Sequence, residues 1–234
     1  MKAEAATKEA GSASGAPDVC PVCRASGSQL FLSVDGRDYW RCAICEARFL
    51  DPRQRPSREE EYAHYLHHEN HPDDPGYRHF LSKLADPLLA RLPARSRGLD
   101  YGCGPGPALA AMLREAGHSV ALYDPFFHPD PEPLRGRYDF VTCTETAEHF
   151  HRPADEFNRL AELVRPGGWL AIMTGFHTND AQLPSWRYRM DPTHVVFYRE
   201  ETLRHLAACR GWSCDIPVKD VALMRKPATE FGAE

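Results

Sequence analysis

From residue 97 onward the apolar positions alternate between two rhythms. Short apolar runs in "SRGLDYG" and "HSVALYDP" predict buried strands, and "ALAAMLREAG" between them predicts a helix. Further on, "REETLRHLAACRGW" predicts a capped helix, with "CDIPV" and "VALMRK" as two closing strands. Strands alternating with helices point to an α/β domain over residues 97–234. Upstream the pattern changes. Over 57–96 a helix opens at Ser57 before a run of acids and stops near Pro72; a second, over about 76–90, carries Phe80, Leu81, Leu84, Leu88 and Leu89 and should pack on the sheet. Within 19–56 the stretch "SQLFLSVDGRDYWRC" alternates and turns at Asp-Gly, which predicts a β-hairpin. Residues 1–18 have almost nothing to bury and predict a disordered tail.

Four cysteines give the hairpin region its chemistry. Cys20, Cys23, Cys42 and Cys45 fall as "CPVC" and "CAIC" with eighteen residues between the pairs, the two-knuckle spacing of a zinc ribbon over 19–56. Two such turns close a four-sulfur shell with no open position, so the Zn²⁺ would be structural. It would stand in for a core that about forty residues are too few to build. Two disulfides or a redox dithiol are the competing reading, and the matching form of the knuckles argues against them.

Length and charge narrow the remainder. The 234 residues, 42% of them hydrophobic, allow one sizeable core and a small extra module. The net charge of −5 divides as −1 over 1–19, +3 over 20–58 with its seven arginines, and −7 over the rest. An acidic main body argues against an extended nucleic-acid partner without excluding a local contact. No run of eighteen apolar residues and no signal-peptide centre are visible, so a cytoplasmic protein with no membrane partner is expected. In the first helix His64, His68 and His71 share one side with His67 beside them. Two His at i and i+4 can chelate a metal, but the further acidic ligand of a His-Glu-x-x-His site is missing. The expectation is a polar helix whose Tyr65 and His68 lie over the mouth of the main domain.

The glycine-rich turn in "LDYGCGPGP" selects a ligand by elimination. A P-loop needs Gly-Lys-Ser/Thr at its end, and the turn has no lysine. A dinucleotide turn needs a third glycine where Pro107 stands, and prolines at 105 and 107 remove two N–H groups from the place of pyrophosphate capture. What remains is a ligand that needs bare backbone at Gly102, Gly104 and Gly106 but brings no phosphate, and S-adenosylmethionine fits. Asp124, eighteen residues past Gly106 at the tip of the next strand, is placed to accept from both ribose hydroxyls. Asp100 is expected to order the turn through backbone N–H groups and to meet the ligand's ammonium.

"LDYGCGPGP", the acid of "LYDP", "YDFVTCTETAEHF" and "LAELVRPGGWLAIMTG" together resemble, over about residues 98–226, the successive motifs of class I S-adenosylmethionine-dependent methyltransferases. The resemblance implies a Rossmann-like, mostly parallel, seven-stranded type of sheet with an antiparallel last hairpin. It implies a cofactor site of Asp100, Tyr101, Gly102, Cys103, Gly104, Gly106, Asp124, Pro125, Phe126, Thr144, Glu145 and His149. "TETAEHF" is similar to the segment after the fourth strand in small-molecule O-methyltransferases of the quinone-biosynthesis type. In one respect the chain departs from the pattern. Only thirteen residues separate Asp124 from Tyr138, so the third strand must be vestigial or absent and no adenine contact carries over; Phe126 and Phe127 could flank the base instead.

Methyl transfer needs an aligned nucleophile and, where that nucleophile bears a proton, a base. His149 is one candidate, on the segment after the fourth strand with Thr144, Glu145 and Glu148. His194 is the other, on the long connection over 177–198, where Trp186, Tyr188, Asp191 and Tyr198 suit a lid over a modest-size acceptor. The expectation is methyl transfer to a small molecule, with a hydroxyl as one acceptor. Two alternatives stand: an RNA nucleobase methyltransferase gripping its substrate with the ribbon, and a non-catalytic protein that keeps the cofactor fold. Acceptor atom and oligomeric state are not readable.

Overall fold

The structure is a computed structural model and describes residues 15, 17–67 and 71–228. The expected tail, apart from residues 15, 17 and 18, and His68 lie outside the described residues.

Three short antiparallel strands form the ribbon: β1 (Gln29–Val34), β2 (Arg37–Arg41) and β3 (Arg48–Leu50). Helix α1 (Arg58–Tyr65) starts with a capping box between Ser57 and Glu60, and α2 (Pro75–Leu89) is capped by Asp74. The sequence suggested that the first helix runs to near Pro72. It ends earlier, where Leu66 and His67 fold their N–H groups back onto Tyr62 and His64 in a turn.

The main sheet has six strands: β4 (Arg97–Tyr101), β5 (Ser119–Tyr123), β6 (Tyr138–Thr144), β7 (Val164–Met173), β9 (Ser213–Asp215) and β10 (Val221–Arg225). The two-residue strand β8 (Val196–Phe197) belongs to the ribbon sheet instead, where it pairs with β3. The main order is β5-β4-β6-β7-β10-β9, with the first four parallel and the last two antiparallel. The thirteen residues after Asp124 hold only a short 3₁₀ turn at Glu132–Arg135, so the third strand is absent and β5 is the edge.

Strand alternation divides the core between the two faces. Phe140, Ala171, Met173 and Leu223 meet Leu81, Leu84 and Leu88 of α2 and Leu109 and Leu113 of α3 (Ala108–Glu115). Val141, Leu170, Ile172 and Met224 face the other way, toward Phe157 and Leu160 of α4 (Pro153–Leu163) and Leu203 and Leu206 of α6 (Glu200–Ala208). This second core continues into the ribbon through Tyr39, Phe49 and Leu50, all fully buried. Because β5 and β6 leave β4 on opposite sides, the carboxyl end of β4 is a topological switch point, where α/β sheets open a crevice.

Candidate functional site

The two cysteine knuckles fold alike. In each, the first cysteine's carbonyl accepts from the residue four positions on, Arg24 or Glu46, and that residue has a left-handed φ, 63° or 61°. Cys20 Sγ lies 3.7 Å from Cys45 Sγ, and Cys23 Sγ lies 3.6 Å from Cys42 Sγ. All four sulfurs lie within 4.8 Å of one another. A tetrahedral ion with sulfurs at about 2.3 Å requires edges of about 3.8 Å, so this donor set fits structural zinc.

At the switch point, β4 ends in Asp100 and Tyr101 and the chain turns through Gly102 and Gly104, whose φ values are +75° and +64°. Gly102 is required twice over, since a Cβ there would also meet Thr146 Cγ2 at 2.2 Å. The turn is ordered from the neighbouring strand. Gly102 N–H donates to Tyr123 O at 2.8 Å, and Gly104 N–H donates to Asp124 Oδ2 at 3.0 Å. Asp124 Oδ1 also accepts from the N–H groups of Phe126 (2.8 Å) and Phe127 (3.0 Å). The ordering role expected of Asp100 therefore belongs to Asp124. Asp100 points sideways and accepts from Thr142 Oγ1 at 2.8 Å, and burial pushes its carboxyl up to about 6.

The turn opens on a cavity of about 840 Å³. That is near the top of the range for small-ligand sites, about 300–1,000 Å³. Asp100, Tyr101, Gly102, Cys103, Gly104, Gly106, Asp124, Pro125, Phe126, Thr144, Glu145 and His149 all line it, and so do Tyr188, Asp191 and His194. Trp186 and Tyr198 do not line it. Trp186 packs against Tyr188, Phe197 and His177, while Tyr198 is fully buried and donates its hydroxyl to Ala147 O at 2.9 Å. These two hold the loop in place from below. Tyr65 does reach the cavity, edge-on to His149 and to Phe126, with ring centroids 5.4 Å apart in both pairs. Phe126 is also stacked with Tyr62 and covered by the Arg58 guanidinium at 4.9 Å, so α1 closes over that side.

Opposite the glycine turn the two histidine candidates meet, with ring centroids 4.7 Å apart. His149 Nδ1 lies 3.1 Å from Thr193 O, and His194 Nδ1 lies 2.7 Å from Tyr188 O. A carbonyl only accepts, so Nδ1 carries a proton in both rings. Burial lowers the His194 pKa below its ordinary value, which keeps the ring neutral near pH 7. Beneath them Glu148 is fully buried and accepts from the Tyr188 hydroxyl and from Thr174 Oγ1 at 2.9 Å. Asp191 is fixed by Thr193 N–H (2.9 Å) and faces His64 Nε2 at 3.2 Å. Burial opposes its charge, but the Thr193 hydrogen bonds and neighbouring His194 outweigh that and hold the carboxyl well below the usual range. Glu145 behaves in the opposite way: burial, then the Glu148 and Asp220 charges, push its carboxyl up. Glu148, His149 and His194 also offer three ligand atoms within 4.8 Å of one another, a set that suits a divalent cation.

A family model described as a methyltransferase domain matches residues 65–215, well over half of the chain. The chain belongs to this family, the class I S-adenosylmethionine-dependent methyltransferases. Similar curated proteins include the ubiquinone biosynthesis O-methyltransferase of Shewanella pealeana, 31% identical over 86 residues that cover 37% of this chain and 36% of that protein. The protein of the same name from Bordetella avium is 28% identical over 173 residues, covering 64% of this chain and 65% of its own. The match thus spans about a third of the first relative's length. Among solved structures, an O-methyltransferase family protein from Burkholderia thailandensis shares the fold at a TM-score of 0.52 and 19% identity, covering 74% of this chain and 64% of that one.

In this methyltransferase, the residues that sequence reading missed are supports. Thr142 shares a strand face with Thr144, two positions on, and this period-two placement was a usable signal. Thr174 directly follows β7 and so lies at the carboxyl edge with the other site residues. Thr193 caps Asp191 only two positions away, a local turn that was open to reading, whereas the pairing of His64 with Asp191 joins segments far apart in the chain and gave no sign. No helix among the described residues is long and apolar enough to cross a membrane.

Proposed function

We propose that this methyltransferase moves the methyl group of S-adenosylmethionine onto a small-molecule acceptor, with an acidic hydroxyl as the acceptor group, and that zinc holds its four-cysteine ribbon. The observation that carries the acceptor reading is the facing pair His149 and His194, both with Nδ1 committed to a backbone carbonyl and both on the cavity wall. The bound cofactor supplies a methyl already activated by its sulfonium. Gly102, Gly104 and Asp124 would hold the nucleoside, Asp100 would face the ammonium, and Phe126 would lie beside the base. A neutral imidazole Nε2 would take the acceptor's proton while the methyl passes to the acceptor oxygen and its bond to sulfur breaks, S-adenosylhomocysteine leaving; the protonated ring would be stabilised by its backbone carbonyl partner and, for His194, by nearby Asp191. The relatives named as ubiquinone biosynthesis O-methyltransferases support an oxygen acceptor. The charge of −7 outside the tail and ribbon weighs against RNA.

The test is incubation of the purified protein and methyl-labelled S-adenosylmethionine with fractionated cell extract. Label should enter the small-metabolite fraction, and His149→Ala and His194→Ala should keep cofactor affinity while at least one loses turnover by about 10²-fold or more. Label in RNA, or full turnover in both variants, would overturn the reading. A second use of Glu148, His149 and His194, as ligands of a divalent cation, is separated by adding a chelator too weak to strip the ribbon. Loss of turnover restored by Mg²⁺ or Mn²⁺ would favour it.

A further inference from the structure

The ribbon was expected to be a small extra module, yet it packs against the loop that forms one wall of the cavity. Strand β3 begins three residues past the ligand Cys45 and pairs with β8, Arg48 opposite Phe197 and Phe49 opposite Val196. Leu50 N–H donates to Val195 O at 2.9 Å, and Val195 N–H donates to Glu148 O at 2.9 Å. One short strand pair therefore connects a cysteine of the centre to His194, directly before Val195, and to the turn carrying Glu148 and His149.

Two buried arginines make the same connection. Arg48 is fully buried and donates from Nη2 to both oxygens of Asp180, each at 2.9 Å. Arg189, on α5 (Arg187–Met190) beside Tyr188, is 3% exposed; it donates to Asp35 Oδ2 (2.8 Å) and to the Tyr39 hydroxyl (3.3 Å), both in the ribbon hairpin. The glycine turn takes its hydrogen bonds from Tyr123, Asp124 and Thr146, none of which lies in the ribbon or in residues 180–197.

We infer that the four-cysteine centre is a positioning element of the acceptor wall: metal bound there orders residues 180–197, and with them Tyr188 and His194, without shaping the cofactor end. The inference rests on the reading of that wall as the acceptor side. Four thiolates within 4.8 Å of one another repel unless an ion sits between them, so the knuckles loosen when it is removed. When the ribbon loosens, β8 loses its strand partner and the Arg189 guanidinium loses the ribbon's carboxylate and hydroxyl. Only the carbonyls of Leu183 and Pro184 then remain to it, and a buried cation without its counter-charge is costly enough to force the loop to rearrange.

Amide hydrogen exchange on the full chain, zinc-loaded and then stripped by chelator, tests this, with S-adenosylhomocysteine calorimetry run in parallel. Metal removal should speed exchange across 180–197 by about tenfold or more, reversibly on zinc addition, while 98–124 changes less than about twofold. Affinity for S-adenosylhomocysteine should stay within about threefold. Unchanged exchange in 180–197 would overturn the inference, as would joint loss of protection at both ends together with cofactor binding. If the zinc-loaded protein fails to bind S-adenosylhomocysteine, the cofactor reading falls, while the exchange comparison still decides this one. Asp35→Asn supplies a variant that folds, since Asp35 is an exposed hairpin-tip residue with φ +54°, which Asn also tolerates. It should keep one zinc per chain and speed exchange over 183–190 by about threefold or more. No change there would remove Arg189 from the connection.

Discussion

Replacing Asp124 by Asn changes one oxygen for an amide and should cripple cofactor binding. The carboxylate accepts three backbone N–H groups, Gly104 on Oδ2 and Phe126 and Phe127 on Oδ1. Asparagine has a single oxygen. Turned toward Phe126 and Phe127, it sets its own NH₂ against the Gly104 N–H, donor against donor. At 7% exposure water has little room to substitute. A lost hydrogen bond to a charged group costs about 1.5–3 kcal/mol. In the free variant the turn relaxes away from this geometry and must be rebuilt on binding, so the loss should appear as affinity, about 10- to 150-fold. Calorimetric titration with S-adenosylhomocysteine measures it, with circular dichroism confirming an intact fold. A dissociation constant within about twofold of the parent would refute the assignment of Asp124 as organiser of the turn.

Other outcomes follow from the same geometry. Gly102→Ala and Gly104→Ala both place a side chain at positive φ, worth about 1–2 kcal/mol, but only Gly102 would collide with Thr146, which is itself tied to Gly102 O and Thr144 O at 3.0 Å. Urea unfolding should therefore show Gly102→Ala to be the less stable by a further 1–3 kcal/mol or so, and equal losses would contradict the clash. Asp100, raised to about 6 by burial, is neutral below that pH and ionised above it. If it faces the cofactor's ammonium, S-adenosylhomocysteine affinity should rise from pH 5 to 7 by about tenfold and then level off, and Asp100→Asn should flatten the profile. The sign for folding is opposite. Because the folded pKa lies above the unfolded one, the unliganded protein loses stability from Asp100 as pH climbs from about 4 to 6. Tyr188→Phe strands a buried Glu148 oxygen and the Gly175 N–H, and should lower the melting temperature by about 2–12 °C. A change below 1 °C or so would mean that this network contributes nothing measurable.

Some of this was open to reading from the chain and some was not, for physical reasons. The cysteine knuckles and the glycine turn are local features: spacing alone sets which sulfurs and which bare backbone come together. The missing third strand was also legible, since thirteen residues cannot hold a helix, a strand and another helix. Which of two carboxylates captures the turn's N–H groups depends on how β5 lies beside β4, so the roles of Asp100 and Asp124 could not be separated by sequence. The pairing of β8 with β3 joins segments far apart in the chain, and two residues carry no periodicity. His149 and His194 were each visible as candidates on different loops; their contact is a product of packing. Trp186 and Tyr198 have the composition of a cavity wall and the placement of a core, and aromatic residues with polar tips serve either purpose until the partner, such as Ala147 O, is known.

The account stands on the claim that the crevice at the end of β4 receives S-adenosylmethionine. Titration calorimetry of the purified, zinc-loaded chain should find one site per chain for S-adenosylmethionine and for S-adenosylhomocysteine, and no measurable heat with NAD⁺ or ATP. Indifference to both methyl-cycle ligands together with tight binding of a nicotinamide dinucleotide or a nucleoside triphosphate would contradict it.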